Sequence, residues 1–148
     1  VPEMLALGVP VGLAVDGSAS NDGSSLMEEL RVCYLLHRLT SSEKAPSGYQ
    51  VLKMATRGSA RLLGREDIGQ LAVGKCADFF LVDSRRLELV GGEYGPADVL
   101  ATVGLRGPVD CTVVNGRVVV QAGHLVTIDE GRVAADARKA CADYLAKA

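Results

Sequence analysis

The sequence predicts an α/β fold: one strand–helix unit of a parallel sheet or barrel, then a small set of antiparallel strands, then a helix. Three observations predict it. The run "VGLAV", residues 11–15, is apolar throughout and does not alternate with polar residues. Such a strand is covered on both faces, as parallel strands are. The segments that follow it place apolar residues at spacings of three and four, the period of a helix with one buried face. Further on, "VDCTVVNGRVVVQAG" carries Asn115-Gly116 between two β-branched runs. That dipeptide suits a two-residue type I′ turn, where both central residues need positive φ.

Composition narrows the function. The chain has 148 residues, 48% hydrophobic and 23% charged, with a net charge of −2. That is a globular composition long enough for one domain of ordinary size. The slight negative charge argues against nucleic acid or an anionic membrane as partner. Aromatic residues are 4% and Trp is absent, so base-stacking platforms are not expected. No apolar run approaches the roughly 18 residues of a membrane span. The first residues, "VPEMLALGVP", have neither a basic region nor a cleavage signature, so a cytoplasmic protein is expected. The cysteines, Cys33, Cys76, Cys111 and Cys141, fall in no C-x-x-C spacing and read as reduced thiols. His37 and His124 are far apart, and neither H-x-H nor H-E-x-x-H occurs.

The elements follow in order. Residues 2–7 read as a short helix stopped at Gly8, with no cap before it, so the helix looks truncated. The strand at residues 11–15 comes next. Residues 24–39 carry Leu26, Met27, Leu30, Cys33, Tyr34 and Leu36 on one helical face. Ser24 or Ser25 is placed to cap that helix, and Glu28 and Glu29 suit the positive end of its dipole. After the polar linker "TSSEKAPSG", Ser47 starts a second helix that stops near Gly64. Gly58 inside it costs on the order of 1 kcal/mol of propensity and is expected to mark a close helix–helix contact. Beyond it come a Gly74-Lys75 turn, a strand at residues 79–82, and a short helix in "GPADVLATVG" with Pro96 at its first position. The hairpin pairs residues 111–114 with 117–121. A helix over residues 129–146 ends the chain.

The stretch "VGLAVDGSASNDG" holds the candidate chemistry. Its strand ends on one carboxylate, Asp16, and opens into seven small or polar residues, 17–23. Asn21 can hydrogen-bond a heterocycle or hold the loop through an Asx turn. Ser18 and Ser20 lack the G-x-S-x-G elbow of a nucleophile. Gly17 and Gly23 lack the Lys of a phosphate loop. Lys75 reads as a turn residue and His37 as a structural one.

Three passages carry a resemblance. "VPVGLAVDGSASNDGSSLMEELRVCYLLHRL" resembles the segment around the eighth barrel strand of the amidohydrolase superfamily. The closer likeness is to its cytosine/guanine-deaminase-like branch, nearest the 8-oxoguanine deaminases. "ATRGSARLLGREDIGQLAVGKCADFFLVD" resembles the passage where those enzymes leave the barrel for a small β-sandwich, and "VVNGRVVVQAG" resembles the sandwich hairpin. The resemblance implies the last βα unit of a metal-dependent (β/α)8 TIM barrel, the C-terminal strands of a β-sandwich domain, and a C-terminal helix, incomplete as a standalone fold. It divides the chain into barrel residues 1–64, sandwich residues 65–128 and helix residues 129–148. In such barrels the active site lies at the C-terminal ends of the strands, where Asp16 sits.

The resemblance further makes Asp16 both catalytic residue and metal ligand, and Asn21 a candidate substrate contact. It implies one divalent metal ion, zinc with iron as the alternative, whose other ligands lie outside these residues. The superfamily's H-x-H, later metal histidines and proton-shuttling Glu do not occur here. The implied reaction is hydrolysis of an exocyclic amine of a purine-like heterocycle such as 8-oxoguanine, releasing ammonia. Relatives acting on s-triazines, pterins, guanine or adenosine-like thioethers are the alternative, and a catalytically inactive packing piece is the reading of another class. The implied partners are a small heterocyclic substrate, the remainder of the same enzyme with its N-terminal barrel strands, and further copies in a homo-oligomer.

Overall fold

In the computed structural model, which describes residues 1–17, 20 and 23–147, the helical expectations largely hold. Helix α1 (Pro2–Ala6) carries Pro in its first turn and gives way to Gly8 at φ 74°. Helix α2 (Leu26–Ser41) starts after Ser25, whose hydroxyl and carbonyl accept the Glu28 amide. Helix α3 (Gly48–Lys53) opens on a capping box: the Ser47 hydroxyl accepts the Gln50 amide, and the Gln50 side chain accepts the Ser47 amide. The helix then widens into a π-turn (Met54–Gly58) before α4 (Ser59–Leu62). Helix α5 (Val99–Thr102) is one turn long. Pro96 lies in the turn before it rather than at its first position. The Asp98 carboxylate accepts the Tyr49 amide at 2.8 Å, tying α5 to the start of α3 instead of capping its own helix.

These helices belong to one compact unit, residues 1–76 with 83–107. Its centre is Leu30 of α2, Val51 of α3, Met54 of the π-turn and Ala101 of α5. Leu5, Val11, Leu13 and Met27 pack around them. Residues beyond 64 join this unit in part through Ala101, buried in one cluster with Leu30, Val51 and Met54, so α5 follows the helices and not the sheet.

The second unit, residues 77–82 with 108–148, holds the strands. Strand β1 (Phe79–Leu81) pairs antiparallel with β2 (Cys111–Val114), β2 with β3 (Arg117–Gln121), and β3 with β4 (His124–Leu125). Asn115 and Gly116 both have positive φ, 49° and 76°, as the type I′ turn requires. A second such pair, Ala122 and Gly123 at φ 50° and 79°, turns β3 into β4. Strand β4 was not expected, because Ala is uncommon at positive φ and signals no turn. A bulge between Thr112 and Val113 shifts the register of β2 on β3. The strands expected as the C-terminal part of a β-sandwich form one four-stranded antiparallel sheet among the described residues. Helix α6 (Glu130–Leu145) is capped by Asp129 through the Arg132 amide, and none of its residues is buried. Among the described residues no helix is long and apolar enough to cross a membrane.

The expected strand at residues 11–15 is not a strand. The stretch joins no ladder among the described residues. The physical reason is pairing: a β-strand exists through its neighbours' N–H and C=O groups, and the four strands among the described residues all lie in the other unit.

Candidate functional site

The site is built on the extended stretch that runs from Val11 to Asp16. Two glycines let this backbone lie directly on the helix that follows the linker. A Cβ on Gly12 would come within 2.7 Å of the Leu62 side chain and 2.9 Å of the Ser59 hydroxyl. A Cβ on Gly58 would run into the Val11 carbonyl oxygen. Gly58 therefore marks a close approach, as its place in the helix predicts, but to an extended segment and not to another helix.

Ser59 completes the junction. Its hydroxyl accepts the Leu13 amide at 3.3 Å and lies 3.2 Å from the Leu13 carbonyl. The same hydroxyl lies 3.2 Å from the Met54 carbonyl, which also accepts the Ser59 amide across the π-turn. A hydroxyl has one hydrogen, so it donates to one of the two carbonyls at a time. One side chain thus serves both backbone polar groups of Leu13, the work a strand neighbour does in a sheet. Sequence reading missed Ser59, because a Ser inside a helix carries no local sign of what it faces.

Asp16 stands three residues beyond Leu13. Its backbone has φ 65°, the left-handed region, and its Oδ1 accepts the next amide, that of Gly17, at 2.8 Å. Asp tolerates this conformation better than most residues, because its short side chain bonds to the local backbone. The carboxylate is exposed. The Gly17 carbonyl accepts both the amide and the hydroxyl of Ser20, at 2.9 and 3.1 Å, closing a turn just past Asp16. Asn21, the candidate substrate contact, lies outside the described residues.

Several other side chains of metal-binding type make structural bonds. His37 Nδ1 sits 2.7 Å from the Cys33 carbonyl, an acceptor, so that nitrogen carries a proton and bonds within its own helix. Burial pushes the Cys33 thiol up from its ordinary value. His124 faces Glu130 at 3.1 Å. Cys76 donates to Asp67, whose carboxyl is held well below the usual range, first by the Arg65 guanidinium and then by Cys76. These bonds pin the turn around Lys75, whose ammonium reaches the Glu66 carbonyl. Among the described residues no three His, Cys, Asp or Glu side chains converge on one point that could hold a metal. Asp16 therefore offers one oxygen donor of the kind zinc accepts, and not a complete set.

A cleft of about 480 Å³ lies at the other end of the extended stretch, between α1 and the helix. It is lined by Val9 and Val11 on one side and by Lys53, Arg57 and Arg61 on the other.

Comparison with known proteins agrees with this arrangement. Residues 1–119 match the Amidohydrolase family. Over 137 residues the chain is 49% identical to hydroxydechloroatrazine ethylaminohydrolase of Pseudomonas sp. (strain ADP), covering 90% of this chain and 28% of that protein. It is 47% identical over 98 residues to 8-oxoguanine deaminase of Pseudomonas aeruginosa, covering 66% of this chain and 22% of that protein. Among solved structures, the zinc complex of atrazine chlorohydrolase from Arthrobacter aurescens TC1 superposes with a TM-score of 0.84 at 40% identity, over 91% of this chain and 30% of that one. The chain thus spans about a third or less of the length of these relatives. With residues 1–119 matched to its model, and with these relatives, the chain belongs to the amidohydrolase family.

Proposed function

We propose that these residues are the C-terminal third of a longer metal-dependent aminohydrolase: the last βα unit of a (β/α)8 barrel, strands of a β-sandwich and a closing helix. The enzyme hydrolyses an exocyclic amine of a purine-like heterocycle, 8-oxoguanine being the leading substrate. Water adds at the ring carbon, the C–N bond breaks, and a carbonyl and ammonia result. The observation that carries this reading is Asp16, an exposed carboxylate in the left-handed region at the end of an anchored stretch. Backbone held in a sparsely populated region clusters at functional sites.

Asp16 is the donor this segment gives to one divalent ion, zinc by the chemistry of the donor and the zinc-bound relative. The remaining donors come from the part of the enzyme that the relatives possess and this chain does not span. When bound, such an ion would lower the pKa of its water toward about 7. Asp16 itself takes a proton from the attacking water and delivers one to the departing amine, as a positioned carboxylate can. The small residues after it leave room for a planar ring. The same loop is the place for Asn21, as a substrate contact.

A second reading is favoured by one observation. The relative at 49% identity is named for a hydroxylated triazine and for release of an ethylamine. On that reading the leaving group is an alkylamine and the ring an s-triazine. The test is a substrate panel on the full-length, zinc-loaded enzyme: 8-oxoguanine, guanine, 5-methylthioadenosine and hydroxydechloroatrazine, with ammonia and ethylamine measured separately. Ammonia from 8-oxoguanine at the highest kcat/KM supports the leading reading. Ethylamine from the triazine at the highest kcat/KM replaces it with the second. No turnover of any of the four overturns both.

A further inference from the structure

We propose that Ser59 is a positioning residue for Asp16, and that the π-turn before it exists to aim its hydroxyl at the extended stretch. The inference rests on the reading of Asp16 given above and extends it to a residue well removed from the chemistry.

The argument starts from the helix. A regular α-helix from Gly48 to Leu62 would carry each carbonyl to the amide four residues on. At Met54 the chain instead takes one residue more, and the Met54 carbonyl receives the Ser59 amide, five residues on. An extra residue turns everything after it by about 100° around the helix axis. Such single π-turns inside α-helices are frequent at functional sites. Here the turn brings Gly58 and Ser59 to the face that meets residues 11–13. Gly58 admits the Val11 carbonyl, and Ser59 takes both polar groups of Leu13.

The contact then acts along the backbone. Leu13 and Asp16 are three positions apart, at most about 10 Å along the chain. Register and height of Leu13 against the helix therefore set where the Asp16 carboxylate stands. Misplacement of a reacting group by about 1 Å can cost on the order of a hundredfold in rate. Ser59→Ala removes the hydroxyl but keeps the Cβ and its packing, so the stretch stays on the helix without its fixed register.

The test is made on the full-length enzyme with whichever substrate of the panel above it turns over best, using Ser59→Ala, Asp16→Asn and the double variant. Zinc content, kcat, KM and the visible absorption of the cobalt(II)-substituted proteins are measured. Ser59→Ala is expected to keep one zinc per chain, lower kcat at least tenfold, hold KM within about twofold, and move the cobalt band. The double variant is expected to be no slower than Asp16→Asn alone, because a residue that acts through Asp16 has nothing left to position. A kcat within twofold of the parent, a cobalt band that does not move, or a full further loss in the double variant would each overturn the role of Ser59. If Asp16→Asn alone leaves kcat and the cobalt band unchanged, the reading of Asp16 fails first, and the role of Ser59 falls with it. Gly58→Ala, whose Cβ would meet the Val11 carbonyl, is expected to lower both stability and kcat.

Discussion

Asp16 separates backbone from chemistry, because Asn shares its tolerance of positive φ and Val does not. Asp16→Asn in the full-length enzyme is expected to keep the melting temperature within a few degrees and to reduce kcat by two orders of magnitude or more. Asp16→Val is expected to lose activity and also about 1–3 kcal/mol of stability, through the strain of a β-branched residue at φ 65°. Thermal melts of the two variants check the difference. Glu130 offers a pH test. Its Oε1 accepts the Leu125 amide at 2.8 Å and its Oε2 faces His124. The Leu125 amide first, and His124 second, hold its carboxyl below the ordinary value. A carboxyl lowered on folding stabilises the native state above its unfolded pKa, about 4.3, and loses that contribution as pH falls through the folded value. Exchange of the Leu125 amide, corrected for its intrinsic rate, should accelerate as pH drops below about 4. In Glu130→Gln that extra acceleration should be absent.

At the scale of elements, local signals and packing divide the outcome. The hairpin was legible because Asn115-Gly116 is written in two adjacent residues and needs no distant partner. Gly116→Val puts a β-branched side chain at φ 76° and is expected to cost about 1–3 kcal/mol, read by denaturant titration of the sheet. The amphipathic helices were legible for a similar reason: Leu30 and Val51 sit at the centre of apolar stripes that the spacing alone marks. Leu30→Ala leaves a cavity among Val51, Met54 and Ala101 and is expected to cost about 2–5 kcal/mol. The π-turn was not legible. Gly58 lowers helix propensity there but does not signal a wider turn, and the contacts of Gly58 and Ser59 with residues 11–13 join residues far apart in the sequence.

At the scale of the molecule, apolar surface is the dominant feature. Leu7 and Leu39 are each 81% exposed and Leu63 is 69% exposed, alongside other large apolar side chains such as Leu71 and Leu87. Scattered apolar residues are normal on a surface, but an extended apolar stretch beside exposed leucines favours association. Residues 1–148 expressed alone are therefore expected to aggregate or to melt without cooperativity, and to bind no stoichiometric zinc. A cooperative calorimetric transition together with one tightly bound zinc per chain would contradict this. Within the full enzyme, residues 11–15 are expected to pair with neighbouring barrel strands, which a structure of the whole protein would show directly.

Sequence alone determined the features that depend on residues near each other in the chain: the periodic faces of α2 and α3, the helix start at Ser47, the type I′ turn, and Asp16 at the end of an apolar run. Each follows from local geometry, where spacing or a dihedral requirement leaves few options. Tertiary structure decided the rest. Residues 11–15 read as a strand by composition, yet they join no ladder among the described residues. Ala101 joined the helices through a contact some fifty residues or more from its partners in sequence. Ser59 gained its role from Leu13, 46 residues away. Pairing and packing between distant residues depend on shape complementarity across the fold, and no local pattern encodes which surface a small residue will meet.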